Sequence, residues 1–110
     1  MFNTVFNCLP FAALIGNDIF CVHGGWGMDF KDWSDIEALL RPTDIPDTGL
    51  LCDMMWATPS ERVGWGFDDP GGGTIQFGED IVSTFVEKHG LKLVCRAHTV
   101  NLFFLTFYHF

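Results

Sequence analysis

Residues 19–27 read IFCVHGGWG, an apolar run that ends on a histidine followed at once by two glycines. A strand that needs only to stop can stop on Gly, Asn or Asp. A histidine carried to the carboxyl end of a strand, on a backbone that glycine frees to turn, is placed where something can reach its ring. Upstream, residues 11–15 form another apolar run, and Gly16-Asn17-Asp18 separate the two. Apolar runs on either side of a Gly-Asn-Asp turn predict a β-hairpin, whose second strand delivers His23 into the loop Gly24-Gly25-Trp26-Gly27.

Downstream, Ser34 and Glu37 have the spacing of a capping box, so a short helix is expected to start at Ser34 and to end before Arg41-Pro42. Residues 43–48 form a turn-rich connector. Residues 49–56 (GLLCDMMW) fit a short buried helix, with Leu50, Leu51, Met54 and Met55 on one face. Residues 57–74 read as a long loop, with Gly71-Gly72-Gly73 as a flexible linker; no Gly-Lys-Ser/Thr follows, so this is not a phosphate-binding Walker loop. Residues 79–89 carry the clearest helical stripe, Ile81, Val82, Phe85 and Val86. Acidic residues open that helix, Lys88 and His89 close it, and Gly90 follows, an order that suits the helix dipole and gives His89 a structural place. Residues 91–95 then form a strand that also runs into a histidine, Arg96-Ala97-His98.

Two short strands, far apart in sequence, therefore each end at a histidine in a loop. If they share a sheet, both imidazoles stand at one edge and can meet on one metal ion. Taken singly, a histidine is more often a hydrogen-bonded structural residue, and two alone do not complete a metal site.

Bulk composition narrows the class. The chain of 110 residues suffices for one small domain, and 48% hydrophobic content excludes intrinsic disorder. Twelve Phe and four Trp demand extensive burial. A net charge of −8 with six scattered basic residues argues against a nucleic-acid partner. No stretch reaches the roughly 18–20 apolar residues of a membrane span; the apolar tail 100–110 is too short. Cys8, Cys21, Cys52 and Cys95 form no C-x-x-C pair and each has apolar neighbours, which predicts four reduced, buried thiols in a cytoplasmic or nuclear protein.

Beyond these readings, the segments 6–25 (FNCLPFAALIGNDIFCVHGG), 39–59 (LLRPTDIPDTGLLCDMMWATP), 64–66 (GWG) and 77–98 (FGEDIVSTFVEKHGLKLVCRAH) resemble the metal-dependent phosphoprotein phosphatases that act on phosphoserine and phosphothreonine, and most closely the type-1 catalytic subunit. The resemblance implies an α/β fold of the calcineurin-like metallophosphatase kind, a β-sandwich flanked by helices, with 1–98 a partial catalytic domain and 99–110 a divergent apolar tail. It implies a two-metal site, with manganese and alternatively iron or zinc, that drives in-line attack of water on phosphorus. His23 and His98 correspond to ligands of the second metal. Trp56 matches a tryptophan lining the substrate groove, and Arg96 is a supporting cation near the metal. The implied partners are a phosphoprotein substrate and regulatory subunits.

The pattern also departs from the family. The expected N-terminal half is absent, with its motifs Gly-Asp-x-His-Gly, Gly-Asp-x-x-Asp-Arg-Gly and Gly-Asn-His-Glu, so no catalytic residue is assigned. Pro70 stands where the family has a phosphate-binding arginine, and Thr58 where type-1 relatives have an acidic residue. The sequence thus leads to three readings: a truncated phosphatase with little activity alone, a non-catalytic interaction or decoy module, or a non-functional gene fragment.

Overall fold

The computed structural model describes residues 1–99. Of the segment read as a divergent tail, all but Thr99 lies outside the described residues. The elements are α1 (Phe2–Phe6), β1 (Ala12–Ile15), β2 (Ile19–Val22), α2 (Trp33–Glu37), α3 (Leu50–Trp56), β3 (Thr58–Pro59), β4 (Trp65–Asp69), β5 (Gly72–Phe77), α4 (Glu79–His89) and β6 (Leu93–Arg96). The strands form two sheets, ordered β1-β2-β6 and β3-β5-β4. Both sheets contribute to one core, through Phe20 and Val22 from the first and Ile75 and Phe77 from the second. The α/β class expected from the sequence is the one observed.

The hairpin forms where the sequence places it. β1 and β2 are antiparallel with Ile15 opposite Ile19. Gly16 and Asn17 both take left-handed φ, 57° and 60°, at the centre of a turn closed by the Asp18 N–H to the Ile15 carbonyl at 3.0 Å. Asp18 then recruits the distant strand. Its carbonyl accepts from the Lys92 backbone N–H at 2.7 Å, and its carboxylate pairs with the Lys92 ammonium at 3.0 Å. β6 is thereby laid parallel to β2, with Ile19 opposite Leu93 and Val22 opposite Arg96.

α4 has the boundaries the stripe predicts, burying Val82, Phe85 and Val86 and ending on Gly90 at φ 64°. His89 sits in its last turn, with its ring 4.6 Å from Phe85 and 4.6 Å from Trp33. Burial lowers its pKa below the ordinary histidine value, so the ring acts as a packing group rather than as a positive charge on the helix end.

Three expectations need correction. α2 begins at Trp33 and ends at Glu37, and its cap is Asp32 rather than Ser34. The Asp32 carboxylate accepts from Trp33 N–H at 2.7 Å, and Asp35 accepts from Asp32 N–H at 3.0 Å. Moving the cap two residues earlier, from Ser34 to Asp32, puts Trp33 inside the helix and on its inner face, 5.2 Å from Phe20. Residues 57–74 are not a long loop but hold β3, β4 and the start of β5. Gly72 and Gly73 lie within β5 at φ 120° and 111°, not in a linker. The Asp68 carboxylate accepts from Thr74 N–H at 2.8 Å and Asp69 accepts from Gly71 N–H at 3.0 Å, so acidic side chains brace the hairpin that glycine alone would leave loose. Finally, the cysteines are free but not buried. Cys8 and Cys95 are exposed, and Cys21 and Cys52 are partly so.

The core is aromatic. Trp26 stacks on Phe85 at 4.1 Å and on Phe77 at 5.0 Å, and Phe20 packs on Trp26, Phe30, Trp33 and Phe85. Outside it, α1 buries none of its residues and leaves Phe2, Val5 and Phe6 exposed. Among the described residues, no helix is long and apolar enough to cross a membrane.

Replacing Trp26 with Ala removes the ring shared by both sheets and α4. The expected loss is about 3–5 kcal/mol in denaturant unfolding, enough to abolish a cooperative transition in a domain of this size. His89 gives a pH signature. Because its folded pKa lies below the ordinary value of 6.5, its contribution is intact above that pH and is lost as pH falls toward the folded value. The stability-versus-pH slope below about pH 6.5 is therefore expected to be flatter in His89→Gln than in the unmutated chain.

Candidate metal centre

The two strand-end histidines meet. β2 and β6 are adjacent and parallel, so the residues that follow Val22 and Arg96 leave the sheet at the same edge. The His23 and His98 rings lie 5.1 Å apart between centroids, inclined at 53°. His98 has φ 57°, a left-handed conformation unusual for a residue with a Cβ. Such strain persists only where the surroundings impose it, and here they can be named.

Arg96 is the main restraint. Its Nε donates to the Gly24 carbonyl at 2.8 Å, Nη1 to the Thr99 carbonyl at 2.8 Å and Nη2 to Thr99 Oγ1 at 3.1 Å. One guanidinium thus ties the loop after His23 to the loop that carries His98. The Ala97 N–H adds a bond to the His23 carbonyl at 3.0 Å. Burial lowers the Arg96 pKa, and a guanidinium stays charged in proteins. For His98, burial, then the neighbouring His23, then Arg96 all lower the pKa. The neutral imidazole, the form that offers a lone pair to a metal, is favoured.

Gly24 and Gly25 serve a purpose other than the one their sequence suggests. Neither has a positive φ. A Cβ on Gly24 would lie 2.7 Å from the Met55 carbonyl oxygen, and one on Gly25 would lie 2.5 Å from the Phe77 ring. The Gly24 and Gly25 N–H groups donate to the Met54 carbonyl at 2.8 and 3.3 Å. The glycines let the loop press onto the end of α3, which fixes the starting point of the His23 side chain.

Trp56, at the end of α3, stands edge-on to His98 with 5.5 Å between centroids. Half of its surface is exposed, so it is not a core residue. It lines a cavity of about 790 Å³ together with Met28, Ile45, Asp53 and Phe67. Asp53 is the residue the sequence reading passed over. Burial, then the charge of Asp29, raises its pKa above the ordinary carboxylate value. The available signal was a lone charge inside the apolar segment LLCDMMW. Gly27 is glycine for its sake, since a Cβ there would collide with the Asp53 carboxylate.

The donor set tests how far a metal fits. Two imidazoles at this spacing suit part of one ion's shell. Among the described residues, no group of three or more His, Cys, Asp and Glu side chains converges to complete it.

The family model for calcineurin-like phosphoesterases matches residues 1–102. The chain belongs to that family. Members ordinarily bind divalent metals. Among solved structures, the chain is similar to one described as a protein serine/threonine phosphatase from Saccharomyces cerevisiae with similarity to human phosphatase PP5, with a TM-score of 0.77 and 31% identity. The match covers 90% of this chain and 31% of the yeast one, so the chain spans about a third of that relative's length.

Two variants probe this geometry. Gly24→Ala forces a shift at the Met55 carbonyl and is expected to cost about 1–3 kcal/mol of unfolding free energy. Arg96→Ala frees both loops. The ring-to-ring nuclear Overhauser contact expected between His23 and His98 should disappear in that variant, and its survival unchanged would show that Arg96 does not set the histidine spacing.

Proposed function

We propose that His23 and His98 are two imidazole ligands of a single divalent ion, manganese or alternatively iron or zinc, in a site of the serine/threonine phosphatase kind. The observation that carries this reading is the convergence of the two rings at the end of adjacent parallel strands, 5.1 Å apart, with His98 held in a left-handed backbone conformation. When bound, such an ion supplies Lewis-acid polarisation of a phosphoryl oxygen. Arg96 positions both ligand loops. Trp56 borders the groove in which a phosphoprotein segment would lie, with regulatory subunits as further partners. The closeness to type-1 enzymes, the assignment of residues 1–98 to the C-terminal part of the catalytic domain with 99–110 as a divergent tail, and a cytoplasmic or nuclear location belong to this same reading.

The chain by itself binds the ion weakly and turns over no phosphate ester. Two ligands leave most of an ion's shell to water, and two of the three arginines are engaged elsewhere. Arg96 bonds the two loops, Arg41 donates to the Cys8 carbonyl at 3.1 Å, and the Arg62 guanidinium lies over Gly66. Pro70, in the turn between β4 and β5, offers no charge to a phosphate dianion. This same accounting supports a second reading, a non-catalytic module that keeps the family's surface for interaction.

The test is titration of the full chain with manganese while the imidazole proton resonances are followed. Both His23 and His98 signals are expected to broaden at the same substoichiometric metal, and His23→Ala should abolish the effect at His98. Manganese that leaves both imidazole signals sharp would remove the imidazole site. In parallel, turnover of an aryl phosphate and of a phosphopeptide should equal the metal blank; turnover lost in His23→Ala would overturn the claim of inactivity.

A further inference from the structure

The strand pairing that brings the histidines together also aligns two thiols. In the parallel register of β2 and β6, Cys21 stands directly opposite Cys95. Such partners lie roughly 4.8 Å apart, inside the roughly 4.4–6.8 Å Cα window that a disulfide spans. Phe20 and Val22 turn into the core, so Cys21 between them lies on the other face of the sheet. Cys95 is exposed and Cys21 partly so, and both line an open depression of about 360 Å³ bordered by Phe11, Ala13 and Ala97. The remaining cysteines are placed differently. Cys52 donates its thiol to the Asp47 carbonyl at 3.4 Å, and Cys8 lies beyond the end of α1.

We propose that Cys21 and Cys95 form a dithiol modification site that exchanges with low-molecular-weight disulfides and closes to an intramolecular Cys21–Cys95 disulfide. The exposed Cys95 thiolate attacks one sulfur of the small disulfide, breaking its S–S bond, forming a mixed disulfide and releasing one thiol. The Cys21 thiolate then attacks Cys95 Sγ, forming the Cys21–Cys95 bond and releasing the second thiol. The protein loses two electrons and two protons, and the small disulfide gains both. A bridge exposed at the sheet surface remains open to the reverse exchange, so it is reducible. The site stands on strand register alone and does not depend on a metal at His23 and His98.

The test uses the full reduced chain, treated with oxidised glutathione, quenched in acid, alkylated and mapped by mass spectrometry. Two of the four thiols should escape alkylation, with one cross-linked peptide pair joining Cys21 to Cys95 that dithiothreitol releases. Cys21→Ser should stop at a stable glutathione adduct on Cys95, and a Cys8→Ser/Cys52→Ser double variant should close as readily as the unmutated chain. Closure through Cys8 or Cys52, a cross-link between two chains, or a lasting glutathione adduct on Cys95 in the unmutated chain would overturn the proposal. Because Cys21→Ser can affect folding, the double variant is also oxidised in denaturant. Closure there should be at least about tenfold slower than in the folded chain, since only the fold holds the two thiols at short range. Equal rates would mean that the sheet register does not create the site.

Discussion

The packing of Trp26 between Phe85 and Phe77 is the constraint on which the rest of the structure depends. Its ring lies 4.1 Å from the first, on α4, and 5.0 Å from the second, at the end of β5. It follows His23 by three residues, so the loop bearing that histidine is held by β2 at one end and by a buried indole at the other. A short chain pinned at both ends has few paths. The path taken runs against the end of α3, and this close approach is what requires glycine at positions 24 and 25. The core thus determines the position of the imidazole, and the glycines follow from the core rather than from any ion.

The second histidine depends on a different balance. A left-handed backbone at a residue with a Cβ costs on the order of 1–3 kcal/mol. Arg96 makes three hydrogen bonds around it, one to Gly24 and two to the residue after His98, and so ties the chain on either side of the two histidines together. The edge is therefore organised in advance, and an ion that arrived would meet rings already close together. The same parallel pairing sets Cys21 beside Cys95.

Much of this was legible in sequence because the signals were local. Gly16-Asn17 specifies its turn through backbone conformations that few other residues accept, and the α4 stripe and its Gly90 stop are written within a dozen residues. The approach of His23 to His98 was legible only as a conditional, since no local feature states that two strands share a sheet; Asp18 and Lys92 carry that information through a contact across the fold. The β4–β5 hairpin was missed because glycine dilutes the alternation of its strands, and its order comes from Asp68 and Asp69 bonding backbone N–H groups. At α2, Asp32–Asp35 and Ser34–Glu37 have the same spacing. What separated them was where Trp33 would land, a matter of tertiary packing. The cysteines were judged by their apolar neighbours in sequence, yet strand alternation turns Cys21 away from the core that those neighbours enter.

Charge decides what this edge can attract. The chain carries −8, and Asp29, Asp47 and Asp53 line the cavity beside Trp56, where burial, then the charge of Asp29, raises the pKa of Asp53. A phosphate dianion entering the cavity would meet like charge, and Arg41 and Arg96 are each committed to another contact. A cation meets the opposite situation: two imidazoles, the His98 ring held toward its neutral form, beside a carboxylate-lined cavity. Electrostatics and donor chemistry therefore agree in favouring a positive ion over an anionic ester as the first species to bind. An ester would be drawn in only after enough positive charge had been supplied to reverse the field, and the described residues do not supply it.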